Sequence, residues 1–463
     1  MKEKVLIANR GEIALRIMEA CEELGIDYVG VYTKEDEESL HVKKCGKKYR
    51  ISDYRDMNDL LAVADETKCT AIHPGYGFLA ENFRFARRVV KREKPLIFIG
   101  PHWEVIRDLG SKLYLKKIAH KIGVPVIPGT VEPIYNEIEA ELKAEELLEE
   151  LEEQGFENPS LLVKAAAGGG GMGIEEVKSL EELRPTFRKI RAYSKRLFGE
   201  EGIIIEAKIP VFQHIEVQLL GTKHEEYVHF GTRNCTIQSP YKQKRIEIAP
   251  GFNPDVNYSF NYKKVEEEII KHSLHLAKHF NYDSVGTWEW LVTPDGKFYL
   301  MEVNTRIQVE NEISAKISFV KEKQINLIKE QIRIAFGDKL GYNQKDIVFK
   351  GTSIEFRLIA EDTKRGFVPL SGTITKFNWT PHEWLTVRTH VPQDKPYHIP
   401  TQFDPNLALA IVYGNNLEEA KKRGYEFLND VIIEGKTPKG DPLITNIEFL
   451  KEKLGEIYQF IQS

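Results

Sequence analysis

Long apolar runs are missing from this chain of 463 residues. No stretch approaches the roughly 18 consecutive apolar residues that a bilayer-crossing helix needs. Cysteine is scarce too: Cys21, Cys45, Cys69 and Cys235 are all there are, and none lies in a CxxC pair. That scarcity argues against a disulfide framework and against a cysteine zinc site, and it fits a reducing cytoplasm. Neither sign of charge is in large excess. A formal net charge of -5 argues against nucleic-acid binding driven by bulk charge. The opening MKEKVLIANRGE reads as a short strand followed by polar residues, without the apolar centre of a signal peptide. No internal repeat or low-complexity tract stands out.

What is present is the composition of a soluble globular protein, with 41% hydrophobic and 29% charged residues. The length predicts two to four packed units. The first hundred residues alternate strands with helical segments. KVLIAN is a strand, EIALRIMEACEELG an amphipathic helix stopped by Gly25, and DYVGVYT, CTAIHP and PLIFIG are further strands. This β-α-β alternation predicts a parallel sheet covered by helices, with ligands favoured at the carboxyl ends of its strands. NRGE and HPGYGFLAEN fall at such ends. From Lys112 to about Ser160 the chain reads as helices. The acidic run NEIEAELKAEELLEELEEQG is expected to be a solvated helix face. GIIIEAKI, HIEVQLLG and EYVHFGTRNCTIQ read as strands and VEEEIIKHSLHLAKHF as a helix. Beyond about Asp346, SIEFRLIAED, GTITKFNW and ALAIVYG are strands, followed by helices.

Two local features point to chemistry. TWEWLV-TPDG-KFYLMEVN reads as a hairpin turning at Pro294-Asp295-Gly296. If Val292 pairs with Lys297, Glu289 and Glu302 lie diagonally on one face, Cβ atoms roughly 7–8 Å apart or somewhat less. Two carboxylates so placed can share divalent cations, with Asn304 adding a carbonyl oxygen. Glu302, Asn304, Arg306, Gln308 and Glu310 occupy alternate positions, which would share one face of an extended strand. The other feature is VKAAAGGGGMG, where Lys164 precedes the glycines Gly168 to Gly171. Such a loop can wrap N–H groups around phosphate oxygens, although it lacks the Lys-Ser/Thr of a P-loop. A flexible surface hairpin is the competing reading of the loop taken alone.

The chain resembles biotin carboxylase, an ATP-grasp enzyme, over nearly its whole length. The resemblance rests on IANRGEIALRI, AIHPGYGFLAEN, FIGP, GVPVIPG, VKAAAGGGGMG, HIEVQLLG, EVNTRIQVE, EFRLIAED and TNIEFL. It implies an α/β fold, α+β in the C-terminal part. A Rossmann-like N-terminal domain would span 1–111, and an ATP-grasp domain 112–333 with a mobile glycine-loop lid at about 128–205. A mixed C-terminal domain would span 334–463. The implied activity is that of a ligase that forms a C–N bond, carboxylating biotin with ATP, magnesium (or manganese) and bicarbonate.

The implied site residues follow. Lys112 and Lys164 would meet ATP phosphates, and the loop at Gly170 and Gly171 would close over them. Glu206, Ala207, Lys208 and Ile209 would lie along the adenine, and His214 near the ribose, with Gln238 also at the nucleotide. Glu289, Glu302 and Asn304 would hold magnesium. Arg306, Gln308 and Val309 would orient bicarbonate, joined by Lys244, or alternatively Lys242. Glu310 would be the general base and Arg357 would stabilise the enolate-like form of biotin. The resemblance further implies a homodimer, with biotin arriving on a separate carrier protein and a carboxyltransferase as partner, in the cytoplasm. A nucleotide-binding paralogue without catalysis, or another ATP-grasp ligase, is the alternative. The family's usual RIQVEHPVTE departs here to RIQVENEISA, with Asn311-Glu312 in place of His-Pro.

Overall fold

A computed structural model describes residues 2–166, 173–240 and 242–462, with Phe198 known through its backbone only. The chain forms two compact units. The first gathers Met1–Gly110, Gln213–Glu289 and Val303–Gln459, and the second gathers Ser111–Phe212, Trp290–Glu302 and Phe460–Ser463.

In the first unit, Lys4–Ile7 is the central strand of a five-stranded sheet. It lies between Asp27–Tyr32 and Ala71–His73, with Lys48–Arg50 and Ile97–Phe98 at the edges. All four pairings are parallel, as the β-α-β alternation predicts. The helix Gly11–Leu24 buries Ile13, Ala14, Ile17 and Cys21, an apolar stripe at helical spacing. It ends where Gly25 takes φ 68°, a left-handed conformation that glycine adopts without a Cβ clash. At the carboxyl ends of the central strands, the Asn9 amide donates to the carbonyls of Pro74 and Tyr76, both at 2.7 Å. This ties NRGE to HPGYG.

The first unit also contains an antiparallel sheet. Val211–Gly221 pairs with Tyr227–Gln238, then come Lys244–Ala249, Thr352–Ile359, Asn406–Gly414 and Leu385–Thr389. Ile246, Ile248, Ile354, Phe356 and Leu358 feed one core from alternate positions. On the opposite face of the same strands stand Glu247, Glu355 and Arg357.

The second unit contains a three-stranded antiparallel sheet, with Leu161–Ala165 between Ile174–Val177 and Ile203–Ala207. The acidic run forms the helix Glu137–Glu153, which buries Ala140, Ala144, Leu147 and Leu151. Its charged side is partly exposed and pairs with the helix Leu180–Phe198, as in the 2.7 Å contact of Glu137 with Arg188. The hairpin loop is one residue shorter than the sequence pattern suggests. Thr293, rather than Val292, stands opposite Lys297, its N–H donating to the Lys297 carbonyl at 2.9 Å. Gly296 takes φ 82° and donates back to the Thr293 carbonyl, so the glycine adds a bulge to the turn.

One expectation is corrected here. The extended strand Phe298–Asn304 stops at Asn304, and the helix Asn311–Ile317 begins seven residues later. Arg306, Gln308 and Glu310 therefore sit on the intervening turn, not in a strand row. Glu310 takes φ -79° and ψ 9° at the helix N-cap, a conformation incompatible with strand pairing. Alternation of polar residues is a strand signal only where the backbone stays extended. The four cysteines are buried and unbridged, and among the described residues no helix is long and apolar enough to cross a membrane.

Candidate active site

The first unit holds a buried cluster of charges on the polar face of its antiparallel sheet. Lys244 is its centre. Its ammonium donates to Glu216, to Glu310 at 2.7 Å and to Glu289 at 3.3 Å. Glu289 also accepts from the Asn304 amide at 2.6 Å and the Gln308 amide at 2.9 Å. Its second oxygen lies 2.8 Å from His214 Nε2, and Gln238 Nε2 lies 2.9 Å from His214 Nδ1. On the other side, Glu310 accepts from Arg357 at 3.2 Å. Arg357 Nε donates to Glu247 at 2.6 Å. The expected residues Lys244, His214, Gln238, Glu289, Asn304, Gln308, Glu310 and Arg357 thus meet in one network.

The electrostatics follow from burial and pairing. Burial pushes the Glu310 carboxyl up, but Lys244, Arg357 and Arg233 outweigh it and hold the group well below the ordinary carboxylate range. Glu289 is likewise pushed up by burial and pulled further down by Lys244 and His214. Burial lowers Lys244, yet its three carboxylate neighbours raise it well above the usual ammonium value. Glu310 and Glu289 are therefore ionised and Lys244 is charged at neutral pH. Glu247 behaves oppositely. Burial drives it up to about 7 despite Arg357. Its cross-strand neighbour Glu355 is fully buried, with both carboxyl oxygens unpartnered, and is pushed well up by burial and by Glu247.

Arg306 joins this network through Asn304 rather than through a hydrogen bond to Glu310. It donates to Glu81 at 3.0 Å, to the Ile307 carbonyl at 3.2 Å and to Asn304 at 3.3 Å. Val309 packs with Ala249, Ile313 and Ile317. Lys242 takes φ 59° and is exposed, whereas Lys244 points inward. That geometry separates the two lysines between which the sequence pattern leaves a choice.

Sequence reasoning missed Arg233, which is fully buried at 0% exposure. It donates to Glu216 at 3.0 Å, Gln218 at 2.6 Å, Ser314 and Thr287 at 3.1 Å, and Gln308 at 2.7 Å. Arg233 and Glu216 are direct cross-strand partners. The available signal was their mid-strand position, where a charge that is buried needs a partner. Glu216 also lies two residues from His214, hence on the same strand face.

The second unit carries its own charge group. Glu206 accepts from Lys116 at 2.7 Å and from Lys164. Burial raises Glu206, but the two lysines bring it below its ordinary value. Lys116 was not anticipated. Lys112 pairs with Glu302. Lys208 reaches Glu176 at 2.8 Å, while Ala207 and Ile209 face the core. Gly170 and Gly171 lie outside the described residues.

Oxygen donors such as the ionised Glu289 carboxylate suit a hard divalent cation. Among the described residues, two groups of donors lie close enough to share an ion, His214 with Glu216 and Glu289, and Glu216 with Cys235 and Glu310. Lys244 Nζ stands among these carboxylates and supplies the positive charge that they need.

A five-stranded parallel sheet and antiparallel sheets with covering helices make this an α/β protein, and its likeness to solved structures places it in the ATP-grasp class. Residues 112–343 match the ATP-binding domain of the carbamoyl-phosphate synthase L chain. Residues 1–106 match the biotin carboxylase N-terminal domain and residues 355–457 the biotin carboxylase C-terminal domain. The chain is 38% identical to the 2-oxoglutarate carboxylase small subunit of Hydrogenobacter thermophilus, over 98% of this chain and 91% of that one. It is 34% identical to the biotin carboxylase of Pseudomonas aeruginosa, over 98% and 99%. Among solved structures, the biotin carboxylase domain dimer of the Hydrogenobacter thermophilus enzyme, in complex with MgADP, ADP and bicarbonate, superposes with a TM-score of 0.84. It is 36% identical and covers 98% of this chain and 94% of that one. A biotin carboxylase–beta-gamma-ATP complex from Campylobacter jejuni gives 0.85 at 30% identity, with coverage of 98% and 95%. The chain belongs to the biotin carboxylase family.

Proposed function

We propose that this chain is the biotin carboxylase subunit of a multi-subunit acyl-CoA or 2-oxo-acid carboxylase. In this reading it works in the cytoplasm as a homodimer, takes biotin from a separate carrier protein and passes the carboxyl group to a carboxyltransferase partner. The domains are those read from the sequence, 1–111, 112–333 and 334–463. The carrying observation is one buried carboxylate, Glu310, held between Lys244 and Arg357.

Glu310 takes the proton of bicarbonate while a bicarbonate oxygen attacks the γ-phosphorus of ATP. ADP leaves, and carboxyphosphate remains. It breaks down to carbon dioxide and phosphate; the released phosphate takes the ureido proton of biotin, and the ureido nitrogen forms the new N–C bond with the carbon dioxide. Arg357 stabilises the enolate-like biotin. Lys244, Arg306, Gln308 and Val309 hold bicarbonate, the arginine through its bidentate geometry. A carboxylate held as low as Glu310 is a weak base. An anion that competes for Lys244 and Arg357 raises its proton affinity at the moment it is needed. Lys112, Lys164, Gly170, Gly171, Glu206, Ala207, Lys208, Ile209, His214 and Gln238 bind the nucleotide. Glu289, Glu302 and Asn304 would hold magnesium, which would offset the charge of the transferring phosphoryl group.

The test is ADP release by purified protein with ATP, magnesium, bicarbonate and free biotin, and again with a biotinylated carrier. Turnover should require bicarbonate and stop when EDTA removes the divalent cation. ATP binding without bicarbonate-dependent turnover, with either acceptor, would overturn the proposal in favour of a nucleotide-binding paralogue.

A further inference from the structure

The two residues that follow Glu310 are Asn311 and Glu312, and both are buried, at 1% and 7% exposure. Neither points into the charge cluster. The Asn311 amide nitrogen donates to the Gln308 carbonyl at 2.6 Å, and its oxygen accepts from Arg16 at 2.8 Å. One side chain therefore closes the turn Gln308–Asn311 and fastens it to the helix Gly11–Leu24. Glu312 receives a two-pronged contact from Arg388, Nε to Oε2 at 2.9 Å and Nη2 to Oε1 at 2.8 Å. Arg16 stands 3.5 Å from the same carboxylate. Arg388 is itself braced by Glu19 at 2.9 Å, and Arg16 lies 3.6 Å from Glu12.

The geometry divides the labour among three consecutive residues. Glu310 faces Lys244 and Arg357, while Asn311 and Glu312 grip Arg16 and Arg388 on the far side. Two long-range anchors converge on the backbone of a single turn. Such a turn cannot rotate the Glu310 carboxylate without breaking a buried amide contact or a buried ion pair. Misplacing a catalytic group by about 1 Å is enough to cost roughly 100-fold in rate.

We propose that Asn311 and Glu312 are positioning residues for Glu310, acting through Arg16 and Arg388. This rests on the reading of Glu310 as the general base. The Asn311-Glu312 pair, where the family pattern has His-Pro, then supplies the rigidity of the turn by hydrogen bonds and charge.

The experiment compares Asn311→Ala, Glu312→Gln and Glu310→Gln for bicarbonate-dependent ADP release, nucleotide binding and hydrogen exchange of residues 308–313. Asn311→Ala should lower kcat about 10-fold or more, leave the KM for ATP within about twofold, and speed exchange in the turn. Glu312→Gln keeps length and an acceptor but loses charge, and should lower kcat by a smaller factor in the same direction. Asn311→His offers one donor and one acceptor and should recover part of the lost kcat. If Asn311→Ala and Glu312→Gln both turn over at the wild-type rate while Glu310→Gln is inactive, the positioning role is overturned and the base assignment stands. If either variant loses activity only in proportion to lost nucleotide binding, the role is merely structural and the inference falls. Wild-type turnover by Glu310→Gln would remove the base assignment itself.

Discussion

Replacing Arg233 with methionine is the most searching perturbation of the charge cluster. The guanidinium is fully buried and serves Glu216, Gln218, Ser314, Thr287 and Gln308. Methionine fills much of the volume but donates nothing. Glu216 keeps Lys244 as a partner, so its charge is half compensated. Breaking a buried ion pair by removing one partner costs about 3–5 kcal/mol. Each buried acceptor left empty adds about 1–3 kcal/mol before relaxation. These contributions share one cluster and do not add, so the loss is on the order of 4 kcal/mol. The melting transition of the first unit should fall by on the order of 10 °C. Gln308 loses the donor to its Oε1 while still reaching Glu289, so activity should fall as well. Differential scanning calorimetry with and without nucleotide reads the first effect, and steady-state ADP release the second. A variant that melts within 2 °C or so of wild type would refute the reasoning, because it would mean the cluster is already satisfied without Arg233. Arg233→Lys should not rescue, since one ammonium cannot reach partners arranged for a planar fork.

Glu312 supplies a pH prediction. Although burial pushes its carboxyl up, Arg16 and Arg388 bring it from 4.5 down to about 2. A lowered folded-state value means the unfolded chain binds the proton first as pH falls. The stabilisation is complete above about pH 4.5 and disappears as pH drops toward 2. It is on the order of 3 kcal/mol, so Glu312→Gln should flatten the acid limb of a stability–pH curve measured by urea unfolding; an unchanged limb would refute the pairing. In the second unit, Glu206→Gln leaves Lys116 and Lys164 without their shared counter-charge. Exchange of the amides in Leu161–Ala165 and Ile203–Ala207 should speed by about 100-fold, equivalent to roughly 3 kcal/mol, with His214 to Glu289 unaffected.

How much of this was legible beforehand depends on whether backbone or partnership carried the signal. The parallel sheet announced itself through apolar runs separated by helical spacing, and Gly25 marked a real left-handed cap. The family motifs identified the residues that meet around Lys244. The turn at Glu310 was misjudged as extended because period-two polarity is shared by strands and by irregular segments that present side chains to one cluster. Arg233 and Lys116 were overlooked because an arginine or lysine in isolation reads as surface charge. Only the register of Arg233 with Glu216 shows that it is buried and paired. The width of the hairpin turn was misjudged by one residue because turn type depends on where Gly296 sits relative to the closing pair.

The interleaving of the two units sets an order of events during synthesis. Lys244–Ala249 must await Thr352–Ile359, its antiparallel partner. At translation speeds of about 5–20 residues per second, that wait lasts roughly 5–20 s. The longest delay falls on the second unit, where Val211 and Phe212 pair with Gln462 and Ile461. About 250 residues separate these partners, so this end of the strand, the rest of which pairs with Tyr227–Gln238, waits roughly 12–50 s for them. During that interval the backbone groups of Val211 and Phe212 lack these partners, an open edge of the kind that another extended chain can pair with.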